Sequence, residues 1–234
     1  MVPSPAPPQR VYAIVRWRKT GHLRFLGHLD VARTIERAVR RAGLPVVYSR
    51  GFSPTAQMSF SSALPVGVAG ENEICAVELE RRLPDDEVRR RLEAQLPDDL
   101  GIVDVQVVTR PGRKPYPAPT VAEYRVQLWP EPGVTPELLR GAAGRLLAAQ
   151  QLPVVRESKS RTRELDIRPG LHALSVLQPE DPGDGCELVM ALACDPEGLV
   201  KPVEVLELLV REFERSSGAA TDLQPRCVTR LGLY

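Results

Sequence analysis

A proline-rich segment near the middle of the chain limits what this sequence can fold into. Residues 111–119 contain four prolines in nine positions. Proline has no backbone N–H and a fixed φ, so such a segment cannot form a central strand or a helix interior. We therefore predict a linker over residues 111–120 between two modules, one at residues 10–110 and one at residues 121–234. Residues 1–9 contain four more prolines and no apolar run, and they are predicted to be a disordered tail and not a secretion signal.

Hydrophobic periodicity predicts the elements of the first module. Every second position of residues 11–18 contributes to one apolar face, which is typical of a half-buried strand. Over residues 27–42 the apolar positions recur at spacings of three and four, which is typical of an amphipathic helix. The same reasoning predicts strands at residues 44–48, 74–80 and 102–108, and a helix at residues 85–96.

The same order of elements recurs after the linker. Strands are predicted at residues 124–129, 152–155, 186–194 and 227–233, extended chain at residues 165–177, and helices at residues 136–149 and 202–213. A β-α-β-β-α-β unit is the ferredoxin-like arrangement. We therefore predict the α+β class, with a tandem pair of ferredoxin-like modules built on antiparallel sheets.

Charge and cysteine content narrow the function classes. The net charge is +1 and the isoelectric point is about 7.7. A generic polyanion binder carries a clear basic excess, so any nucleic-acid surface here must be a local patch. The four cysteines form no C-x-x-C pair, and dispersed thiols fit buried side chains in a reducing cytosol. No apolar run approaches the roughly 20 residues of a membrane span, so we expect a cytoplasmic protein.

The densest functional signal is a set of arginines in the first predicted helix. Three of them fall on one face, opposite the apolar stripe, at about 100° per residue. A guanidinium forms a bidentate fork with phosphate, so this stripe suits RNA or another polyanion. The alternative is a solvated helix face, in which Glu36 pairs with Arg40. The stripe and its flanking candidates are Arg24, Arg33, Arg37, Arg40 and Arg41.

His28 lies where the first strand passes into this helix. A helix N-terminus carries free N–H groups and favours anions, so His28 could contact a phosphate or act as a general acid or base. The alternative is a histidine that packs or caps locally. A metal site is not expected, because His22, His28 and Asp30 alone do not complete a ligand set.

Two further segments supply candidate binding residues. Residues 49–70 are longer than a β-β connection needs, and Arg50 and Phe52 at the start could grip or stack on a ligand. Residues 156–168 carry five basic side chains among small polar ones, as in a hairpin that contacts an RNA backbone. An edge hairpin that is charged to block aggregation is the alternative. The candidates there are Lys159, Arg161, Arg163 and Arg168.

Several catalytic motifs are absent from the sequence. It has no G-x-x-x-x-G-K-[ST] phosphate loop, no G-x-G-x-x-G, no G-x-S-x-G and no H-E-x-x-H. It also has no three-cysteine cluster of the kind that ligates an iron–sulfur centre. We therefore expect that this chain binds no cofactor and has no catalytic activity of its own.

Four motifs are similar to those of a known family. They are Phe25-Leu-Gly-His-Leu-Asp30, Arg40-Arg-Ala-Gly-Leu-Pro45, Tyr48-Ser-Arg-Gly-Phe-Ser-Pro54 and Leu64-Pro-Val-Gly-Val68. On these motifs, and on a further match from Lys159 to Arg168, the chain resembles the radical SAM-linked protein family. That family is a domain of unknown function, often fused to or encoded beside a B12-binding radical SAM protein. The chain departs from it at residues 55–57, where many members have His-Pro and a basic residue, and at Gly70, where a serine is common.

The resemblance implies a companion enzyme and a link to RNA. A separately encoded radical SAM protein would hold S-adenosylmethionine and an iron–sulfur cluster, and gene neighbourhoods with ribosomal-protein and ribonuclease genes point to RNA. We expect an accessory RNA-binding or substrate-presenting subunit. Two alternatives stay open. One is a metal-independent endoribonuclease that uses His28 and resembles the CRISPR RNA-processing endonucleases, and the other is an adaptor that binds only protein.

Overall fold

The computed structural model describes residues 8–112, 115–158, 161–178, 185–196 and 198–234. The chain divides into two compact units, with the division between Ala118 and Pro119. The described strand pairings within each unit are antiparallel, so the predicted α+β class and antiparallel sheets are confirmed. Among these residues, no helix is long and apolar enough to cross a membrane.

The first unit packs two helices on one face of its sheet. The strand order is β4-β1-β3-β2. Val15 of β1 pairs with Cys75 of β3 and with Val105 of β4, and all three are buried in the core beneath the helices. The elements are β1 (Gln9–Lys19), a 3-10 helix (Gly21–Phe25), α1 (His28–Arg41), β2 (Met58–Phe60), β3 (Val68–Leu79), α2 (Asp85–Glu93) and β4 (Leu100–Pro111).

The second unit has a four-stranded sheet and a separate hairpin. The strand order of the sheet is β10-β5-β9-β8, and β6 pairs only with β7 among the described strands. Thr135 caps α3, because its hydroxyl accepts the Leu138 N–H at 3.4 Å. The elements are β5 (Val121–Leu128), α3 (Pro136–Ala148), β6 (Pro153–Ser158), β7 (Arg161–Asp166), a 3-10 turn (Arg168–Gly170), β8 (Leu171–Leu177), β9 (Glu187–Ala193), α4 (Pro202–Ser217) and β10 (Pro225–Leu233).

Two strands lie elsewhere than predicted. Residues 44–48 form only isolated bridges, and the strand that pairs with β3 is β2. Pro45 has no N–H to give to a strand ladder, which explains why the pairing is interrupted there. In the second unit, β6 and β7 form a hairpin, and the 3-10 turn around Pro169 separates β7 from β8. The predicted extended segment at residues 165–177 is therefore two strands.

The predicted linker is ordered in its described part. β4 includes its first residue, Pro115 is buried, and the Tyr116 side chain is hydrogen-bonded to Ser59. Burial raises the pKa of Tyr116 to about 12. These contacts attach Pro111 and Tyr116 to the first unit, and the linker over residues 111–120 stays a prediction. Residues 113–114 and the tail residues 1–7 lie outside the described residues.

Candidate functional site

The segment that leads into α1 is held by a buried lysine. Lys19 is fully buried at the end of β1, and its amine donates to the backbone carbonyls of Arg24 (3.2 Å) and Leu26 (3.1 Å). The Gly67 N–H donates to the same Arg24 carbonyl at 2.9 Å. These bonds fix the 3-10 helix before α1. Lys19 could not be identified from the sequence, because a lysine at a strand end is ordinarily solvated.

His28 begins α1 and is half-buried. Its ring meets the Phe60 ring edge-on, with centroids 5.6 Å apart and an interplanar angle of 87°. Within the described chain no hydrogen bond reaches the His28 ring, and Asp30 is paired with Arg33 at 3.5 Å. That part of the chain also contains no group of three His, Cys, Asp or Glu side chains that could hold a metal ion. This geometry favours local packing and supplies no acid–base pair.

The predicted arginine stripe lies on the exposed face of α1. Arg33 pairs with Asp30 and Arg40 pairs with Glu36, both at 3.5 Å, and the two arginine side chains are 64% and 63% exposed. Exposed pairs of this kind contribute only about 0–1 kcal/mol. No residue in the described ranges pairs with Arg37. The Glu36–Arg40 pair anticipated by the alternative is therefore present, yet the guanidinium groups stay available to a ligand.

The two flanking arginines have different surroundings. Arg41 donates to the backbone carbonyl of Gln95 at 2.7 Å and to its side-chain oxygen at 3.3 Å. It therefore ties the end of α1 to the segment after α2. The Arg24 guanidinium lies 4.8 Å from the centroid of the Phe25 ring, in a cation–π contact. Arg24 thus belongs to the surface at the start of α1, whereas Arg41 is mainly an anchor.

Basic residues are concentrated in the first unit. Residues 10–50 contain ten arginine or lysine residues and two acidic ones, and no acidic residue occurs from Arg37 to Gly70. Up to Ala118 the chain has 18 basic and 13 acidic residues, whereas from Pro119 onward it has 13 basic and 17 acidic residues. The net charge near zero therefore conceals a basic first unit. A surface with one sign of charge attracts polyanions before contact.

Large apolar side chains are exposed around the start of α1. Phe25, Leu29 and Val66 are 56%, 68% and 64% exposed. Val66 lies beside the 3-10 helix, because the next residue is hydrogen-bonded to the Arg24 carbonyl. We call these three residues, together with Arg24, the α1-start surface. Exposed apolar area next to positive charge is a common feature of binding surfaces.

A second exposed group lies in the loop that precedes β2. Phe52 is completely exposed, and no described residue pairs with the exposed guanidinium of Arg50. Both residues were expected to contact a ligand, and the structure leaves both accessible. The loop is closed at Ser49 and Thr55 by hydrogen bonds.

The basic residues predicted in the second unit lie on the β6–β7 hairpin. Arg161 and Arg163 are exposed, and Lys159 lies outside the described residues. Arg156 faces Arg163 across the hairpin, but its guanidinium donates to both carboxylate oxygens of Glu204, at 2.6 and 2.8 Å. The hairpin is therefore anchored to α4 by one of its arginines, while the others remain on the surface.

Arg168 has a different environment from the predicted RNA contact. Its guanidinium donates to the backbone carbonyls of Leu147 (2.6 Å), Ala149 (3.1 Å) and Leu171 (3.0 Å). The first two lie at the C-terminal end of α3, where carbonyls have no helical partner. Arg168 therefore closes the end of this helix and offers no free fork to a phosphate.

A groove in the second unit was not identified from the sequence. Its volume is about 400 Å³, and Trp129, Pro130 and Pro136 are among the residues that line it. Trp129 is 53% exposed, and the Arg226 guanidinium lies 5.0 Å from its ring centroid. The other tryptophan, Trp17, is buried in the first unit. Trp129 is therefore a natural fluorescence reporter for the second unit.

The sequence matches the model of a known protein family. A family model described as an uncharacterized protein conserved in bacteria (DUF2344) matches residues 13–202. The match begins within β1 and ends at the first residue of α4. No curated protein matches the sequence.

Two solved structures are similar at low levels of identity. One is a chain of a Cbf5-Nop10-Gar1 complex, with 10% identity and a TM-score of 0.47 over 93% of this chain and 47% of that chain. The other is a chain of the archaeal box H/ACA sRNP Nop10-Cbf5 complex, with 13% identity and a TM-score of 0.43 over 93% of this chain and 46% of that chain. The present chain thus spans about half the length of these chains. Likeness at this level assigns no function.

Proposed function

This chain belongs to the family of uncharacterized proteins conserved in bacteria (DUF2344), and we propose that it is an accessory RNA-binding protein whose first unit holds the RNA. The observation that carries the proposal is the charge of residues 10–50, with ten basic residues against two acidic ones. The exposed stripe of Arg33, Arg37 and Arg40 lies within this segment.

Phosphate is the ligand group that suits this surface. Guanidinium groups spaced along one helix face can each contact a different phosphate, and each contact releases counterions from the nucleic acid. Arg33 and Arg40 have only weak, exposed partners to give up, and Arg37 has none in the described chain. The exposed ring of Phe25 adds an aromatic group, which RNA-binding surfaces use for stacking on unpaired bases.

The surroundings of His28 favour a binding protein over a nuclease. A general acid or base needs a partner or a substrate group within hydrogen-bond reach. The His28 ring packs edge-on against Phe60, and no described residue is hydrogen-bonded to it. We therefore propose that the chain presents RNA and does not cleave it.

Within the α+β class, we propose that each unit is a ferredoxin-like module. In each unit the strand order, β4-β1-β3-β2 and β10-β5-β9-β8, supports a ferredoxin-like module in which the two central strands are the first and third. On this proposal, the β6–β7 hairpin is an insertion between the first helix and the second sheet strand of the second module.

The proposed partner is a separately encoded radical SAM protein in the cytoplasm. The resemblance of the first-unit motifs to the radical SAM-linked family supports it. S-adenosylmethionine and the iron–sulfur cluster would then be bound by the partner, and this chain would contribute the RNA surface. The α1-start surface, with Phe25, Leu29 and Val66 exposed, offers apolar area for contact with either component.

The test is the salt dependence of RNA binding. Arg33, Arg37 and Arg40 are replaced together by alanine, and affinity for a single-stranded RNA of 20 nucleotides is measured between 50 and 200 mM salt. The plot of log affinity against log salt has a negative slope, and each lost phosphate contact makes it shallower by about 0.7. The slope of the triple variant should therefore be shallower than that of the wild type by about 2.

The matched control is on α2. Arg89, Arg90 and Arg91 are also three arginines on a short helix, but α2 carries four acidic residues and is net negative, whereas α1 carries four arginines and two acidic residues. Their triple alanine variant should keep the wild-type slope. Equal slopes for the wild type and both triple variants would place the RNA surface elsewhere. If the wild type binds no RNA, the hypothesis of an adaptor that binds only protein would be favoured.

A further inference from the structure

We propose that the loop from Ser49 to Thr55 is a base-stacking site for single-stranded RNA, in which Phe52 stacks on an unpaired base and Arg50 contacts a neighbouring phosphate. The inference rests on the proposed function. It adds a second site, away from the α1 stripe, and it specifies the single-stranded form of the ligand.

Hydrogen bonds close the base of the loop. The Ser49 N–H donates to the Thr55 carbonyl at 2.8 Å, and the Thr55 N–H donates to the Ser49 hydroxyl at 3.0 Å. One step further along each arm, Tyr48 and Ala56 form an antiparallel bridge. Gly51 has a φ of +143°, a backbone conformation that residues other than glycine rarely adopt. A loop closed in this way loses little conformational entropy when a ligand binds.

Phe52 has no role in packing. Its side chain is 111% exposed, relative to the reference for an unfolded residue, so it buries no apolar area in the first unit. Tyr48, four residues earlier at the base of the loop, is 40% exposed. Exposed aromatic rings on a fixed backbone are the stacking platforms of proteins that bind single strands, because every base presents a π-face.

The charge around Phe52 selects an anion. Arg50 is exposed, and no residue in the described ranges pairs with it. The stretch from Arg37 to Gly70 contains no acidic residue, and Glu78, whose backbone is hydrogen-bonded to Val47 and Gln57 beside the loop, is paired with Arg10. In duplex RNA the base faces are covered by their neighbours, and a protruding phenylalanine finds a π-face only on an unpaired base.

The experiment uses the full chain and two probes, a 12-nucleotide oligouridine and a 12-base-pair RNA duplex. Phe52→Ala should weaken binding of oligouridine by on the order of tenfold and leave binding of the duplex unchanged. Leu177→Ala, which truncates a side chain that is 43% exposed in the second unit, is the control and should bind both probes like the wild type. Because Phe52 is fully exposed, its replacement should not change the unfolding midpoint.

Fluorescence supplies an independent readout. The indole introduced by Phe52→Trp should be quenched when oligouridine stacks on it. Trp129 of the wild type, 53% exposed in the second unit, should report no change.

The outcomes separate this inference from the proposed function. Unchanged oligouridine affinity in Phe52→Ala, with a reduced salt slope in the α1 triple variant, would overturn the stacking site and keep the RNA-binding proposal. If Phe52→Ala no longer binds a partner protein but keeps its affinity for RNA, the stacking site would also be overturned, since Phe52 would then contact protein and not RNA. No RNA binding by the wild type would overturn both.

Discussion

Arg156 on β6 and Glu204 in the first turn of α4 form two hydrogen bonds, of 2.6 and 2.8 Å, across 48 residues of sequence. Glu204 also accepts the Lys201 N–H at 2.9 Å, and Arg156 donates to the Leu199 carbonyl at 2.5 Å. The arginine side chain is 23% exposed and the glutamate side chain 9%. The pair therefore holds the β6–β7 hairpin, which lies outside the main sheet, against the start of α4.

Replacement of Arg156 by alanine should destabilise the protein. The free energy of unfolding should fall by about 2 kcal/mol, because a mostly buried carboxylate loses its charged donor. Urea unfolding followed by circular dichroism measures the difference. Arg163→Ala removes the exposed arginine that faces Arg156, and it should change stability by less than about 0.5 kcal/mol. Equal losses in the two variants would contradict an anchoring role for Arg156.

The same pair should make stability depend on pH. Burial raises the pKa of Glu204, but hydrogen bonds from Arg156 and from the Lys201 N–H outweigh burial and hold the pKa below its ordinary value of 4.5. A carboxyl group with a lowered folded-state pKa stabilises the fold fully above its ordinary pKa, and this contribution is lost as the pH falls through the folded value.

A series of urea unfolding curves from about pH 7 to pH 3 tests this linkage. The difference in unfolding free energy between the wild type and Glu204→Gln should be constant above about pH 5.5 and should shrink below it. The comparison cancels the titration of other carboxyl groups, which both proteins share. A difference that does not vary with pH would show that Glu204 does not titrate with folding.

Lys19 is the positioning residue for the start of α1. Lys19→Met keeps the length of the side chain but removes the donor to the Arg24 and Leu26 carbonyls, so the unfolding free energy should fall by about 2–3 kcal/mol. Amide hydrogen exchange over residues 21–30 should become faster. Arg18→Met, at the exposed neighbouring position, serves as the control and should leave both quantities near their wild-type values. Unchanged exchange in Lys19→Met would mean that other contacts hold the segment.

His28 discriminates between a binding protein and a nuclease. We expect purified protein with a chelator to leave RNA uncut, and His28→Ala to change only binding to RNA or to the partner enzyme. A single histidine acting as general acid or base contributes about 10²–10⁴-fold to a rate. Metal-independent cleavage that persists through purification and falls by this factor in His28→Ala would establish the nuclease alternative.

The arginine stripe on α1 could be predicted because helical periodicity alone sets the directions of its side chains. The helix was predicted at residues 27–42 and lies at His28–Arg41, so the exposed face follows from the apolar one. Phe52 and Arg50 could also be identified, since an aromatic and a basic residue in a long polar loop have few places to pack. The pairing of the short strand β2 (Met58–Phe60) with β3 could not be predicted, because β2 has no periodic pattern of its own.

The roles of Lys19, Arg156 and Arg168 could not be predicted from the sequence. Each side chain is polar and reads as solvated, and the partners of Arg156 and Arg168 lie up to 48 residues away. Only the folded chain shows that Arg156 is anchored to α4 and that Arg168 closes the end of α3. The basic charge of the first unit, by contrast, can be counted from the sequence, although the net value of +1 conceals it.

The α+β class, the antiparallel strands and the exposed arginines of α1 can be predicted from residue order alone, because these depend on the alternation of apolar and polar positions along each element. Which charged side chains are available to a ligand follows only from the folded chain. Availability depends on distance and burial. Arg156 is paired with Glu204 and Arg168 is bonded to the end of α3, so neither is free to bind a ligand, whereas Arg37 and Arg50 have no such partner in the described chain.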